Sequence, residues 1–311
     1  MTQTICDVPG VLVGNVTDAT ARTGCTVILF ENGATAGVDV GGGAPGTRET
    51  DVLDPVNTVE RVHAIVLSGG SVFGLDAATG VVRYLEERGV GLDVGVARIP
   101  IVPAAVLFDL SVATRRPDAA MGYEAAKCAS RDAFTMGSVG AGTGATVGKI
   151  LGRERAMKGG LGSASVRRSY AGGELIVGAL AVVNALGHVR DPETGEILAG
   201  PLGDDGTICD AAMLLTEMDP AQYAPRIGSG RNTTLAVVAT NARLTKVQAM
   251  RVAQVAHDAF ARTIQPIHTS QDGDTIFTVS TGDLDVPLDI VCALACRTLE
   301  RAIIAAVQKP S

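Results

Sequence analysis

The apolar positions along the chain form short runs whose spacing alternates between that of strands and that of helices. Nearly unbroken apolar runs at residues 62–67 and 175–183 predict strands that are buried on both faces. Residues 235–239 and 275–280 predict two more strands, and Thr245-Lys-Val-Gln248 is a capping box that opens a long helix. Strands that alternate with helices favour layered sheets covered by helices over a helical bundle.

The N-terminal and C-terminal parts of the chain continue this alternation. Residues 11–16 and 26–30 predict strands, and a closing helix is expected over 289–307. After the strand at 62–67, the turn Ser68-Gly-Gly-Ser71 leads into a helix that ends near Gly89.

One segment has the composition of a linker. Residues 219–231 contain two prolines and two glycines in thirteen positions, directly before the strand at 235–239. Residues 110–116 and 131–148 are also predicted to be rich in loops.

Charge and composition exclude several classes of protein. Acidic residues outnumber basic ones by 33 to 26, the net charge is −7, and no basic patch typical of a nucleic-acid binder is present. The first ten residues lack the basic start and apolar run of a secretion signal. No apolar stretch reaches the length of about 18 residues that a membrane-spanning helix needs. We therefore expect a cytoplasmic protein without nucleic-acid or membrane partners.

Several familiar motifs are approached but not completed. Gly140-Ala-Gly142-Thr-Gly-Ala145 follows no clear strand, and Gly148-Lys149 lacks the glycine and the hydroxyl residue of a phosphate-binding loop. The six cysteines include no Cys-x-x-Cys pair, and the four histidines have no metal-binding spacing. His257 and Asp258 are neighbours on the predicted helix, so they face different directions. These features predict no metal site and disfavour a histidine base.

Two segments remain that these motifs do not explain. In Arg231-Asn232-Thr233-Thr234, two hydroxyl residues lie between the linker and an apolar strand. Asp272-Gly-Asp274 precedes another strand, and if this stretch is extended its two carboxylates share one face. Taken alone, the first segment is typical of a strand start and the second of an acidic turn.

A set of short motifs in a fixed order identifies a family resemblance over nearly the whole chain. The motifs are Asp7-Val-Pro-Gly10, Gly42-Gly-Ala-Pro-Gly46, Leu67-Ser-Gly-Gly70, Gly140-Ala-Gly142, Val183-Asn-Ala185, Asn232-Thr-Thr-Leu235, Ala239-Thr-Asn-Ala242 and Asp272-Gly-Asp-Thr275. Together they resemble the L-aminopeptidase/D-esterase family of self-cleaving hydrolases, which includes the β-aminopeptidases and the nylon-oligomer hydrolases.

The resemblance implies an α/β fold of a particular kind, a four-layer αββα sandwich shared with the ornithine acetyltransferases. It implies that residues 1–311 form a single domain that is cut once, between Asn232 and Thr233, into an α chain of residues 1–232 and a β chain of residues 233–311. It also implies a homotetramer of such α/β pairs and a reaction that uses no metal or organic cofactor. Thr233 then becomes the N-terminal nucleophile.

The resemblance assigns roles to four further residues. Lys149, Asn184, Asp272 and Asp274 match the catalytic-site lysine, the asparagine near the oxyanion and the paired carboxylates of the nylon-oligomer hydrolases. After the cut, the α-amino group of Thr233, with an ordinary pKa of about 7.7–8.0, is expected to take the proton of its own hydroxyl. Lys149 is expected to lower that pKa by like-charge repulsion, and Asn184 to donate to the oxyanion.

The expected function is hydrolysis of an amide through an acyl-enzyme at Thr233. The catalytic positions match the branch that acts on linear 6-aminohexanoate oligomers. Gly43-Ala-Pro-Gly-Thr-Arg-Glu-Thr-Asp51 is more similar to the aminopeptidase members, which act on short peptides with a free amino end. Two alternatives stay open: acyl transfer of the ornithine acetyltransferase type, and a non-catalytic nucleotide-binding protein built on the glycine-rich residues 137–149.

Overall fold

Two β-sheets stacked face to face, each with two long helices on its outer side, form the body of the protein. The structure, a computed structural model, describes residues 3–132, 134–170, 172–223 and 232–308. The strands are β1 (Leu12–Asp18), β2 (Thr23–Val40), β3 (Thr47–Arg48), β4 (Val62–Ser68), β5 (Leu92–Asp93), β6 (Arg98–Ile99), β7 (Ala104–Val106), β8 (Thr146–Val147), β9 (Met157–Lys158), β10 (Gly160–Tyr170), β11 (Gly173–Asn184), β12 (His188–Arg190), β13 (Ile197–Ala199), β14 (Thr233–Ala242), β15 (Ile264–Gln265) and β16 (Thr275–Leu284). The α-helices are α1 (Ala77–Glu87), α2 (Ala119–Lys127), α3 (Ala211–Glu217), α4 (Pro220–Tyr223), α5 (Lys246–Thr263) and α6 (Leu288–Val307). Short 3-10 turns lie at Ile5–Asp7, Asp51–Leu53, Ser71–Asp76, Gly140–Gly142 and Lys149–Leu151.

The long strand β2 belongs to both sheets. Residues 25–29 pair with β4, whereas residues 35–40 pair antiparallel with β16. The first sheet has the order β1-β2-β4-β7-β3, and the second has the order β10-β11-β14-β16-β2. β14 and β16 are parallel, and α5 supplies the crossover that a parallel connection needs.

Side chains that alternate along the strands separate three hydrophobic cores. On β14, Leu235 and Val237 point into the core between the sheets, while Ala236 and Val238 pack with α5 and α6. The strand β4 alternates in the same way between the central core and the helices α1 and α2. The order of layers is therefore helix, sheet, sheet, helix, which confirms the expected αββα sandwich.

Most of the predicted elements are confirmed, with some longer than predicted. The capping box at Thr245 and Gln248 opens α5 as predicted, and the buried strands at 62–67 and 175–183 are present. The hydrophobic pattern did not reveal β10 or α2. The predicted linker at 219–231 falls mostly outside the described residues, although its first part contains α4. Among the helices that the structure describes, none is both long and apolar enough to span a bilayer.

Glycine allows the outer helices α1 and α2 to cross in backbone contact. A Cβ atom on Gly122 would collide with the carbonyl oxygen of Ala77, and one on Gly80 would collide with that of Ala119. The sequence contains few aromatic residues and no tryptophan, so close approach of small residues replaces bulky packing in this layer.

We expect Gly122→Ala to lower the free energy of unfolding, measured by urea denaturation. Overpacking costs about 1–3 kcal/mol, which exceeds the gain of up to about 1 kcal/mol in helix propensity. The control is Ala120→Gly on the exposed face of the same helix, which should cost about 1 kcal/mol through propensity alone. A Gly122→Ala protein as stable as the parent would contradict this account of the crossing.

Candidate active site

The five residues predicted to form the site meet at one end of the second sheet. Thr233 is the first residue of β14 and Asn184 is the last residue of β11, and the two are direct antiparallel partners. Asp272 and Asp274 lie just before β16, the parallel neighbour of β14 on its other side. Lys149 begins the 3-10 turn that follows β8.

Lys149 and Asn184 hydrogen bond directly. The lysine Nζ donates to Oδ1 and to the backbone oxygen of Asn184, both at 2.8 Å, and to the backbone oxygen of Thr146 at 3.0 Å. Asn184 Oδ1 also accepts the N–H of Thr146 at 3.1 Å, which fixes the orientation of the amide. Its Nδ2 donates to the carbonyl oxygen of Phe108 at 3.1 Å. An amide nitrogen carries two N–H bonds, so this contact uses one of them.

Burial changes the charge of Lys149. Burial lowers the pKa of Lys149 and Arg153 adds to the decrease, whereas the carboxylates of Asp272 and Asp274 oppose it; the resulting pKa is about 7. The three acceptors around Nζ stabilise the ammonium form. Lys149 is therefore close to the midpoint of its titration at neutral pH. Lys149 is expected to repel the positive charge of the Thr233 α-amino group. This repulsion acts in full only below the midpoint, where the lysine is protonated.

The hydroxyl of Thr233 contacts the peptide group that is predicted to be cut. Thr233 Oγ1 donates to the carbonyl oxygen of Asn232. The backbone N–H of Gly273 lies 3.2 Å from Thr233 Oγ1 and 3.3 Å from that same carbonyl oxygen. A Cβ atom at position 273 would lie 2.7 Å from the hydroxyl oxygen, so this approach requires glycine. A hydroxyl and a backbone donor thus converge on one carbonyl group.

Asp274 is fully occupied as a hydrogen-bond acceptor. Its Oδ1 accepts the backbone N–H of Thr234 at 2.7 Å. Its Oδ2 accepts the backbone N–H of His268 at 3.1 Å and lies 2.9 Å from the ring Nδ1 of that histidine. Asp274 therefore holds the backbone immediately after the predicted cut rather than the Thr233 hydroxyl.

Asp272 differs because one of its oxygens is free. Oδ2 accepts the backbone N–H and the hydroxyl of Thr269 at 2.8 and 2.6 Å, whereas Oδ1 is buried and has no hydrogen-bond partner among the described residues. Burial raises the pKa of Asp272, and the nearby charge of Asp274 adds to the increase. The two carboxylates that the sequence presents as a pair thus have different environments.

A second unpaired acceptor lies beside the first. Asn232 pairs with Asp272 through an isolated parallel bridge, and in the described part of the chain Oδ1 of Asn232 is also buried without a partner. Each unpaired buried acceptor costs about 1–3 kcal/mol. Among the described residues, these two side-chain oxygens therefore have no hydrogen-bond donor.

A cleft of about 380 Å³ opens beside these residues. Lys149 and Asn232 line its inner part, and Ile150, Leu151 and Leu186 supply an apolar wall. Polar groups also border it. They are Arg153, Glu154, Tyr223 and Gln271. The cleft has the volume of a small-molecule site and reaches the bond that is predicted to be cut.

The glycine-rich segment before Lys149 has a structural role. Gly140–Gly142 forms a buried 3-10 turn, and the N–H groups of Gly140 and Ala141 donate to the hydroxyls of Thr17 and Thr26 at 2.8 and 3.0 Å. A phosphate-binding loop needs free backbone N–H groups, so this turn does not support the nucleotide-binding alternative.

The sequence did not reveal every residue that contacts the site. His268 touches Asp274, and His257 touches His268, although their spacing in the sequence indicated no shared role. Gly273 was recognised only as part of a motif, and its contact with the Thr233 hydroxyl depends on the register of two parallel strands.

This αββα sandwich is similar to the Ntn hydrolase fold. The chain belongs to peptidase family S58, whose family model matches residues 3–310.

Three related proteins agree with this assignment. An uncharacterized aminopeptidase of Mycobacterium tuberculosis strain H37Rv is 44% identical over 299 residues, which cover 91% of this chain and 83% of that protein. A 6-aminohexanoate-oligomer endohydrolase of Kocuria sp. strain KY2 is 33% identical over 283 residues, 90% of this chain and 76% of its own. The structure of the L-aminopeptidase D-Ala-esterase/amidase of Ochrobactrum anthropi, a variant of the Ntn hydrolase fold, superposes with a TM-score of 0.69 at 20% identity, covering 98% and 86% of the two chains.

The lowered pKa of Lys149 predicts a pH-dependent stability. Between pH 7 and the ordinary lysine value near 10.5, the unfolded chain keeps a proton that the folded chain loses, so the free energy of unfolding rises with pH. Lys149→Met removes this contribution. In urea denaturation, the stability of the Lys149 protein relative to Lys149→Met should increase between pH 7 and 10. If the difference in the free energy of unfolding between the two proteins is the same from pH 7 to 10, the pKa of Lys149 is not lowered.

Proposed function

We propose that this protein is a self-processing amide hydrolase that cuts its own chain between Asn232 and Thr233 and then uses Thr233 as its nucleophile. The observation that carries the proposal is the contact of the Thr233 hydroxyl with the carbonyl group of Asn232, which Gly273 N–H also approaches. A nucleophile and an oxyanion donor are thereby present at a single peptide bond.

The proposed cut proceeds by transfer of an acyl group from nitrogen to oxygen. The oxygen of Thr233 attacks the carbonyl carbon of Asn232, the C–N bond breaks, and the proton of the hydroxyl passes to the new α-amine. The N–H of Gly273 stabilises the charge that develops on the carbonyl oxygen. Water then hydrolyses the ester, which releases the carboxylate of Asn232 and restores the hydroxyl of Thr233.

The cut also supplies the donors that the uncut chain lacks. The new α-ammonium group of Thr233 carries three N–H bonds and forms next to the unpaired oxygens of Asp272 and Asn232. We propose that Asp272, with its free Oδ1, holds this group, while Asp274 fixes the backbone at Thr234. The raised pKa of Asp272 makes its carboxylate a better proton acceptor near neutral pH.

Catalysis repeats the same chemistry on a bound amide. The neutral α-amine takes the proton of the Thr233 hydroxyl, directly or through one water, and the oxygen attacks the substrate carbonyl. The second N–H of the Asn184 amide, which Lys149 orients, donates to the oxyanion. The amine product leaves with a proton, and water hydrolyses the acyl-enzyme.

We propose that the substrates are linear 6-aminohexanoate oligomers or short peptides with a free amino end. The cleft supports small, chain-like amides, because its apolar wall of Ile150, Leu151 and Leu186 lies between polar residues. The names of the Mycobacterium and Kocuria relatives support the two substrate classes separately. We also propose that the enzyme works in the cytoplasm as a homotetramer of α/β pairs.

Two isosteric variants test the cut. Thr233→Val should stay a single chain and lose amidase activity, because it removes the attacking oxygen. Thr234→Val should still be cut and keep most of its activity, because the Thr234 hydroxyl has no partner among the described residues. Intact-mass analysis of the purified proteins distinguishes one chain from fragments that end at Asn232 and begin at Thr233. A Thr233→Val protein that still splits there would refute the proposal.

A substrate panel tests the reaction class. Aminoacyl p-nitroanilides, β-amino peptides and 6-aminohexanoate oligomers should be hydrolysed by the wild type and not by Thr233→Val. Acyl transfer from N-acetylornithine to glutamate is measured in parallel, and we expect no transfer above the rate without enzyme. Transfer without amide hydrolysis would instead establish the acyltransferase alternative.

A further inference from the structure

Two histidines connect Asp274 to a residue at the protein surface. The ring Nδ1 of His268 lies 2.9 Å from Oδ2 of Asp274, and its Nε2 lies 3.1 Å from Nδ1 of His257 on α5. Nε2 of His257 lies 3.3 Å from both the carbonyl oxygen and the carboxylate Oδ2 of Asp39 on β2. The row of four side chains therefore runs from the centre of the candidate site to the edge of the second sheet.

The two rings are held closely by the backbone beside them. A Cβ atom on Gly41 would lie 2.9 Å from Cε1 of His257 and 3.0 Å from Cε1 of His268, so the glycine backbone packs against both rings. The rings are T-shaped, with centroids 4.7 Å apart. Their geometry is thus fixed by packing as well as by hydrogen bonds.

Counting protons along this row gives an unexpected result. Both ends, Asp274 and Asp39, present oxygen atoms that accept hydrogen bonds, and three contacts separate them. Each contact needs one N–H or O–H donor, but two neutral imidazoles supply only two N–H bonds. The complete row therefore needs one additional proton.

The environment of Asp274 puts this proton on the rings. Asp274 accepts two backbone N–H bonds, one on each oxygen, from Thr234 and His268, so both of its oxygens are used as acceptors. The charged groups that face the rings are Asp39 from β2 and Asp274, with Asp272 and Lys149 beyond them. Two adjacent carboxylates favour one positive charge between them.

Burial and the two carboxylates act in opposite directions on the charge of His257. Burial lowers the pKa of His257, and the neighbouring His268 adds to the decrease, whereas Asp39 and Asp274 raise it. The side chains are 11% exposed at His257 and 26% at His268, so the proton that the rings share can exchange with solvent.

We propose that His257 and His268 form a positioning pair that holds one shared proton and, through Asp274, fixes the backbone at the proposed cleavage site. With the proton present, all three hydrogen bonds are made and Asp274 is held against Thr234. When the proton is lost, one contact has no donor, and Asp274 loses its fixed orientation. Self-cleavage and hydrolysis should therefore decrease as the pH rises and the shared proton is lost. This inference rests on the proposed function for its effect on the reaction, but the proton count does not depend on it.

The proton count is tested in a protein that does not react. In Thr233→Val labelled with ¹⁵N-histidine, NMR titration should show the rings of His257 and His268 changing together at a common midpoint. His257→Gln, added to this protein, should move the midpoint of His268 by about one pH unit or more. Separate midpoints, or a His268 midpoint that ignores the substitution, would overturn the inference.

The effect on the reaction is tested with variants of His257 in the wild-type chain. An amide at this position donates to both neighbours without an extra proton, so His257→Gln should keep its activity and lose the decrease that accompanies rising pH. His257→Phe removes the contacts and should lower kcat about 100-fold at every pH with little change in KM, because a small misplacement has that cost.

A buried histidine elsewhere provides the matched control. His63 in β4 accepts the backbone N–H of Ile101, in the first sheet, and His63→Gln should leave the pH profile unchanged. A decrease with rising pH that is retained in His257→Gln would refute the positioning role. If Thr233→Val is still cut, the proposed function is wrong. The titration of the two rings in that protein still shows whether His257 and His268 share a proton.

Discussion

The pairing of β14 with its two neighbours is the constraint on which the site depends. On one side, Thr233 is opposite Asn184, and on the other, Asn232 bridges Asp272. A slip of one residue would turn every side chain of β14 to the other face, so the hydrophobic pattern of the two cores also fixes the position of the Asn232–Thr233 bond. The fold thus fixes the position of the peptide bond that we propose is cut.

Burial at that position creates an electrostatic imbalance that the proposed chemistry uses. Lys149 and Asp272 are both buried, and burial lowers the pKa of the lysine and raises that of Asp272. Both groups can therefore gain or lose a proton near neutral pH, where a hydrolase needs to move protons. The side-chain Oδ1 atoms of Asn232 and Asp272 also have no hydrogen-bond donor among the described residues. The proposed new N-terminus at Thr233 would supply one.

The sequence predicted the layers of the fold and the residues of the candidate site better than it predicted the contacts between those residues. The apolar runs along β4, β11 and β14 are local, and the capping box at Thr245 has its partner three residues away, so both could be predicted from the sequence. The contacts of Gly273 with Thr233 and of His268 with His257 join residues that only the folded sheet and α5 bring together. The strand β10 was missed because its mixture of glycine, serine and apolar residues, with Arg167 and Arg168 near its end, breaks the hydrophobic pattern. Much of the strand is nevertheless buried.

Trapping the acyl-enzyme tests the central claim most directly. Wild-type protein is mixed with an aminoacyl ester, quenched in acid within one turnover, and analysed by intact mass and peptide mapping. The account predicts that the added acyl group is on the fragment 233–311 and that mapping locates it at Thr233. An acyl group on another residue, or turnover of the ester by a chain that remains uncut, would contradict it.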